Sequence, residues 1–469
     1  MSLSLLATAR EFPNGVAVID MERPWTFGEL APRVAAEAGT IAAACGWAPA
    51  ARDRGAAPPL LLVDATVSLD TLVKLYAAFE LGAPVVLCHP RWTGAERARA
   101  AATVPGPVEA GELARAGSPA WGAAPPADDD RALAVVFTSG SAGAPKGVVL
   151  SRAAFAASAA ASARWLGWRD DDRWLLSLPP AHVGGLSIVT RCLLARRPVV
   201  LAAGLSPAQE LARIARERVT LLSLVAAQLR RLLDAAPETA APRSLRAVLI
   251  GGGPCPSGLL AEAAARGWPL LPTYGLTETC SQVATQPPGW LPADGGGAGP
   301  PLPGVEMRIA DGEIQVRGPM VCSGYLPEGV HGSPFTADGW LRTGDLGRLD
   351  DRGRLEVISR RDALIVTGGE NVAPEEVESA LLSCPGVREA LVFGVPDETW
   401  GAVIAAAVVP PAGAAPEPAA LRAALASRLA PFKLPRLLAV VPALPLSPNG
   451  KPDRSRAVRE LAGRLEPVV

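Results

Sequence analysis

Four short polar stretches carry side chains suited to one kind of chemistry. The first, Thr138-Ser139-Gly140-Ser141-Ala142-Gly143-Ala144-Pro145-Lys146-Gly147, gathers hydroxyls, glycines and a lysine. Glycine allows positive φ and lets backbone N–H groups approach an anion, hydroxyls donate hydrogen bonds, and Lys146 adds a mobile positive charge; together these make a phosphate cradle. A Walker loop is excluded, because proline precedes Lys146 and an apolar strand-like run follows it. A plain glycine-rich turn would have the same composition. In Tyr274-Gly275-Leu276-Thr277-Glu278-Thr279, Thr277 can donate to a phosphate and Glu278 can supply an oxygen to Mg²⁺, a hard cation that prefers carboxylate and phosphate ligands. Tyr274 offers a flat ring for a base. The alternative for Thr-Glu-Thr is a helix cap. Thr343-Gly344-Asp345 sets a carboxylate beside a glycine, suited to the paired hydroxyls of a ribose, or else to a solvated turn. Finally, Asn449-Gly450 is a strong turn signal that presents Lys451 at a loop tip; a lone lysine there is otherwise surface decoration.

These stretches need a scaffold. The 469 residues exceed one ordinary core, so two or three domains are expected. Through about residue 280, short apolar runs alternate with Ala/Arg-rich helical stretches. Leu60–Val63, Pro84–Leu87, Pro198–Leu201, Leu221–Val225 and Ala247–Ile250 read as strands; Thr71–Leu81, Pro207–Arg218 and Ala226–Leu233 read as helices. This rhythm predicts a largely parallel sheet covered on both faces. Leu133–Phe137 and Val148–Leu150 read as strands flanking the first loop, which places that loop on a hairpin. From about Gly296, glycines and short alternating runs such as Glu313–Arg317 predict a small antiparallel unit, with Asp350–Gly353 as a hairpin turn before a strand at Leu355–Ile358. Beyond Asp362 the pattern returns to α+β, with a helix at Pro374–Ser383, strands at Ala390–Phe393 and Ala402–Val409, and a Pro/Ala-rich loop from Pro410 to Pro418. The predicted fold is therefore α/β: a large N-terminal domain (1–361) of parallel-rich sheets plus a small β unit, then a small mobile α+β C-terminal domain (362–469).

The first loop resembles the signature of the adenylate-forming superfamily, which includes acyl-CoA synthetases, peptide-synthetase adenylation domains and luciferases. The usual form is Thr-Ser-Gly-Thr-Thr-Gly-x-Pro-Lys-Gly; here Ser141 keeps a hydroxyl and Ala142 loses one. The resemblance runs from Trp25-Thr26-Phe27-Gly28-Glu29-Leu30 to Lys451. It implies that ATP is bound by Thr138, Ser139, Gly140, Ser141, Gly143 and Lys146, with adenine against Gly251-Gly252-Gly253 and Tyr274. It also implies Thr277 on the α-phosphate, Glu278 on Mg²⁺, Asp345 on ribose and Arg360 on the nucleotide. Asp362 matches the family's hinge, Gly368-Gly369 the loop that lines the thiol tunnel after the small domain turns, and Lys451 the catalytic lysine. The implied reaction joins a carboxylate to AMP and passes the acyl group to coenzyme A.

Ser177-Leu178-Pro179-Pro180-Ala181-His182-Val183-Gly184-Gly185-Leu186-Ser187 and Thr277–Thr285 further resemble the o-succinylbenzoate–CoA ligases of menaquinone biosynthesis, although Ala181 stands where that group often has phenylalanine. His182, before an expected Gly-Gly bend, then belongs to the acyl pocket and the catalytic set. Ser281, Gln282 and Thr285 would bind a second carboxylate or a ketone, or would merely cap an element. An aryl-CoA ligase for a benzoate-type acid and an enzyme loading a carrier protein remain alternative readings. The partners are a small carboxylic acid, ATP and CoA, with a homodimer allowed. The net charge of -1 gives no nucleic-acid footprint. Seven scattered cysteines without C-x-x-C spacing predict reduced thiols. No apolar run reaches the ~20 residues of a membrane span. Arg10 and Glu11 come too early for a signal peptide, so a cytoplasmic enzyme is expected.

Overall fold

The computed structural model describes residues 2–47, 58, 60–104, 106–109, 121–122, 129–139, 145–411, 413–414, 416–446 and 452–468. It is mixed α/β, with a large N-terminal and a small C-terminal domain. An eight-stranded sheet runs, in spatial order, Ser281–Thr285, Leu270–Leu276, Ala247–Ile250, Leu221–Leu224, Trp174–Leu176, Val199–Leu201, Val16–Ile19 and Pro24–Thr26. A six-stranded sheet runs Gly324–Leu326, Pro145–Ser151, Ala132–Ser139, Val85–Cys88, Leu61–Asp64 and Val108–Glu109. The interiors are parallel, as predicted, and their strands are continuous apolar runs because both faces are covered. The difference from expectation lies toward the edges: the outermost strands Ser281–Thr285, Pro24–Thr26 and Gly324–Leu326, and Pro145–Ser151 one strand in, all pair antiparallel. Three of these four strands carry or adjoin the polar stretches.

Local signals fix the helices. Phe27–Ala44 begins with a Thr26/Glu29 capping box. Leu69–Leu81 starts at Ser68, whose hydroxyl accepts from Thr71 N, and ends at Gly82 with φ 69°. Pro207–Arg216 combines a Ser206/Gln209 box with proline in its first turn. One continuous apolar core draws on both sheets (Val85, Val136, Trp174, Val199) and on helices through Leu30, Leu75, Phe79 and Ile188.

A four-stranded antiparallel sheet, Glu306–Ala310, Glu313–Arg317, Leu341–Leu349 and Leu355–Arg360, forms the small β unit. The turn at Asp350–Gly353 closes its last hairpin, with Gly353 N donating to Asp350 O at 2.8 Å. After it, Glu389–Asp397, Gly401–Val409, Leu437–Val440 and Glu466–Pro467 make a separate sheet. Alternate residues of Glu389–Asp397 and Gly401–Val409 feed two cores: Val392, Ile404 and Ala406 meet Val377, Leu381, Leu421 and Leu425, while Leu391, Phe393, Ala405 and Ala407 meet Ala457 and Leu461. Helices on both faces explain why this strand pair is apolar throughout.

Two local expectations are corrected. Gly184-Gly185 is not a bend but the first turn of the helix Val183–Ala195. Gly185 is needed because a Cβ there would lie 2.5 Å from the carbonyl oxygens of Leu178 and Pro179. Thr343-Gly344-Asp345 is not a loop but lies inside the strand Leu341–Leu349, and Asp345 is only 6% exposed. All seven cysteines are free thiols, and among the described residues no helix is long and apolar enough to cross a membrane.

Candidate active site

The site is assembled from three sheets. Pro145–Ser151 pairs with Ala132–Ser139 so that Thr138 faces Lys146 across the hairpin. Gly140, Ser141 and Gly143 lie outside the described residues, as does Lys451. The Thr138 hydroxyl is buried and has no hydrogen-bond partner among the described residues. Across from it, the strand Leu270–Leu276 ends in a single 3-10 turn, Thr277–Thr279. Thr279 closes this turn, its hydroxyl accepting from Leu276 N at 3.1 Å and donating to Ser281 O at 2.9 Å. Gly275 permits the crossing, since a Cβ there would sit 2.0 Å from Ser281 O.

Thus the helix-cap reading of Thr-Glu-Thr holds for Thr279, and Glu278 is left for another task. Lys146 Nζ donates to Glu278 Oε1 at 2.9 Å, although 132 residues separate them. The Tyr325 hydroxyl donates to the same oxygen at 3.1 Å. Among the described residues nothing donates to Oε2. This arrangement fits magnesium, which is held by one or two carboxylates together with substrate phosphates rather than by an all-protein cage. No group of three His, Cys, Asp or Glu side chains among the described residues would form such a cage.

A second set of contacts surrounds Asp345. Tyr274 donates its hydroxyl to Asp345 Oδ2 at 2.6 Å. Arg360 Nε lies 3.3 Å from Asp345 Oδ1 and 3.3 Å from Asp362 Oδ1. Thr343 braces the strand, donating to Ile314 O at 2.7 Å and accepting from Asp345 N at 3.0 Å. Tyr274 is 9% exposed and packs in the apolar cluster with Val283, Ile314 and Leu355, so its observed task is to hold Asp345. Burial pushes the Asp345 carboxyl above the usual range, while the Tyr274 hydrogen bond and the Arg360 charge pull it down. Tyr274→Phe removes one of these counterweights, so the carboxylate protonates at higher pH. The acidic limb of the pH profile of 1/KM for ATP is expected to move to higher pH, with a loss of roughly tenfold on that limb. An unmoved limb would separate Asp345 from ribose binding.

The other expected residues fall out as follows. Gly251 must be glycine because a Cβ would lie 2.8 Å from Thr273 Cγ2, Gly252 has φ 76°, and Gly253 meets no such restriction. Gly368 and Gly369 form the turn between Ile365–Thr367 and Glu370–Val372, with φ 59° and 84°. Gly368 N donates to Trp400 O at 2.9 Å, and a Cβ on Gly368 would lie 2.7 Å from the Trp400 ring. Among the described residues no hydrogen bond joins this turn to Glu278 or Asp345. His182 stands at the start of its helix, with its ring centroid 5.2 Å from that of His89. Ser281 is half-buried with φ 106°. Gln282 and Thr285 are turned inward: Gln282 Nε2 donates to Thr285 Oγ1 at 2.8 Å, and Thr285 pairs with Thr273 at 2.8 Å.

Sequence reasoning passed over two residues. Tyr325, one of only three tyrosines, lies on an edge strand whose pairing with Pro145–Ser151 no local signal announces. Arg191 was detectable, as a charge interrupting the apolar run Leu186–Leu194. Its guanidinium is buried, donates from Nη1 to Gln282 Oε1 at 2.9 Å, and has no partner at Nε or Nη2 among the described residues. Burial pulls its pKa down to about 10, so it stays charged at neutral pH.

A hydroxyl-and-lysine hairpin joined to a metal-type carboxylate, beside a buried carboxylate suited to ribose, defines an enzyme that binds a nucleoside triphosphate. The chain belongs to the AMP-binding enzyme family: residues 99–326 match the AMP-binding enzyme family itself and residues 376–451 its C-terminal domain. It is 36% identical to the 2-succinylbenzoate–CoA ligase of Bacillus pumilus, with 96% of each chain covered, and 37% identical to that of Geobacillus kaustophilus, with 92% of each covered. Among solved structures it resembles o-succinylbenzoate coenzyme A synthetase of Bacillus subtilis in complex with its acyl-adenylate intermediate (TM-score 0.86, 31% identity, 97% of this chain and 98% of that one). The same synthetase in complex with ATP and magnesium gives a TM-score of 0.84 at 32% identity, over 96% and 98% of the two chains.

Proposed function

We propose that this protein is an ATP-dependent, AMP-forming acid–CoA ligase acting on 2-succinylbenzoate. The observation that carries the reading is the meeting of Lys146, Glu278 and Tyr325 on one carboxylate oxygen, in a chain that matches 2-succinylbenzoate–CoA ligases over nearly its full length. The buried Arg191 supports an acid with a second carboxylate. Its guanidinium donates to Gln282 and is unpaired by any described carboxylate, and a desolvated positive charge favours an anionic partner.

In the first half-reaction a substrate carboxylate oxygen attacks the α-phosphorus of ATP, forming the acyl–phosphate bond as the bond to pyrophosphate breaks. No general base is required, because the acid is already ionised at neutral pH. Thr277 and the hydroxyl loop donate to phosphoryl oxygens, Lys146 moves from Glu278 to the polyphosphate, and Lys451 neutralises charge developing at the reacting phosphorus. Magnesium, when bound through Glu278, neutralises phosphate charge. Asp345, held by Tyr274 and Arg360, accepts the ribose hydroxyls. In the second half-reaction the CoA sulfur attacks the acyl carbonyl, AMP leaves with the bonding electrons, and the thiol proton passes to solvent.

We place the domain boundary at Asp362, giving 1–361 and 362–469. The two cores beyond it draw only on residues from Ile365 onward, which supports a body able to turn as a unit. ATP and CoA as substrates go with a cytoplasmic setting.

An ATP–pyrophosphate exchange screen with 2-succinylbenzoate, benzoates and fatty acids tests the assignment. Exchange is expected with 2-succinylbenzoate and at least roughly tenfold weaker with benzoate, which lacks the second carboxylate. Exchange confined to another acid would overturn the substrate. Acyl transfer only to a carrier-protein thiol would overturn CoA.

A further inference from the structure

Tyr325 belongs to a segment whose backbone is tied twice to the phosphate hairpin and once to the backbone carbonyl of Glu278. Gly324–Leu326 pairs antiparallel with Pro145–Ser151, Tyr325 opposite Val148 and Leu326 opposite Gly147. Ser323 N donates to Val149 O at 2.9 Å, and Cys322 N donates to Glu278 O at 2.7 Å. Tyr325 is thereby brought against Lys146, two residues from Val148 on the neighbouring strand and on the same face. The Lys146 ammonium sits 4.0 Å from the centre of the Tyr325 ring, within the range of a cation–π contact. His331 packs edge-on to the phenol at 6.3 Å between centroids.

The two donors on Glu278 are not equivalent. Lys146 carries a positive charge and competes with any cation for that carboxylate. The Tyr325 hydroxyl is an uncharged phenol that donates to Glu278 Oε1. Once Lys146 turns to the polyphosphate, Tyr325 is the side chain described here that still fixes Oε1. A carboxylate without such a donor turns easily about its broad terminal torsion.

We infer that Tyr325 is a positioning residue for the metal–nucleotide complex: its hydroxyl locks Glu278 with Oε2 toward the magnesium ion, and its ring keeps Lys146 within reach of both Glu278 and the phosphates. This rests on the ligase reading above. Tyr325→Phe keeps the ring and loses the donor; Tyr325→Leu loses both. Mn²⁺ titrated against each protein in the presence of ATP, followed by EPR, reads the metal directly, and calorimetry with ATP in EDTA reads the nucleotide alone. In Tyr325→Phe, Mn²⁺ affinity should fall roughly tenfold while metal-free ATP affinity stays within about twofold. In Tyr325→Leu both should fall. Conversion of supplied 2-succinylbenzoyl-AMP to thioester, which uses no polyphosphate, should remain within about twofold in Tyr325→Phe, with an unchanged melting temperature. Equal Mn²⁺ affinity in wild type and Tyr325→Phe overturns the inference. So does a Tyr325→Phe defect of the same size in thioester formation, which would mark a merely structural residue. Absence of metal-dependent pyrophosphate exchange in the wild type with every acid would instead overturn the ligase reading itself.

Discussion

Lys451→Ala is expected to slow acyl-adenylate formation by roughly 10²–10³-fold, the usual effect of deleting one preorganised donor to a developing charge. Thioester formation from supplied acyl-adenylate should stay near the wild-type rate. The asymmetry follows from where charge develops. Attack on the α-phosphorus concentrates negative charge on phosphoryl oxygens and pyrophosphate, whereas attack of the CoA sulfur takes place at the acyl carbonyl carbon, whose bond to AMP then breaks. The chain on either side of the lysine is anchored. Leu446 and Pro452 form an antiparallel bridge, Asp453 N donates to Pro445 O at 2.9 Å, and Asp453 caps the helix Arg454–Leu461 through Arg456 N. Removing the side chain therefore leaves the C-terminal fold intact. Single-turnover measurements of the two half-reactions check this, and an equal fall in both would remove Lys451 from the role given to it.

Asp362→Pro is expected to give the mirror-image defect. Acyl-adenylate forms and accumulates, and thioester formation slows by roughly 10²-fold or more, the penalty for misplacing reacting groups. Asp362 is the second residue of the one-turn segment Arg361–Ala363, where a backbone N–H has no intrahelical partner, so proline removes no hydrogen bond from this conformation. What it removes is the freedom of φ that a turning domain needs. Its melting temperature should stay close to that of the wild type. Quenched-flow detection of acyl-adenylate and thioester distinguishes the outcomes; normal thioester turnover would mean that the chain does not turn here.

Much of the scaffold was legible because buried parallel strands advertise themselves as runs such as Val85–Cys88 and Ala247–Ile250, and helices such as Pro207–Arg216 as Ala/Arg-rich stretches between them. The hairpin beneath the phosphate loop was equally plain, since apolar runs flank it closely. Edge pairings were not legible: nothing near Tyr325 in sequence says that it will lie beside Val148. Burial of Asp345 was hidden for a related reason. A Gly-Asp pair reads as a turn locally, but Gly344, with φ 73°, is accommodated within a strand whose neighbour supplies Glu313 Oε1 to its N–H at 2.8 Å. His182 was correctly set before two glycines, yet the purpose of Gly185 was steric, a helix start pressed onto the Leu178 and Pro179 carbonyls. For Gln282 and Thr285 polarity could be read locally but direction could not, because Arg191, 91 residues earlier than Gln282, decides which way that amide faces.

One guanidinium, that of Arg360, touches both Asp345, the carboxylate proposed for the sugar, and Asp362, the acid at the proposed pivot. If Asp345 holds the ribose and the chain turns at Asp362, as proposed, occupancy of the nucleotide pocket and orientation of the C-terminal domain are thermodynamically reciprocal. Whatever factor AMP contributes to favouring one orientation must reappear as the ratio of its dissociation constants in the two. On that proposal, any change that weakens the contact of Arg360 with either acid would alter AMP release and domain orientation by the same factor.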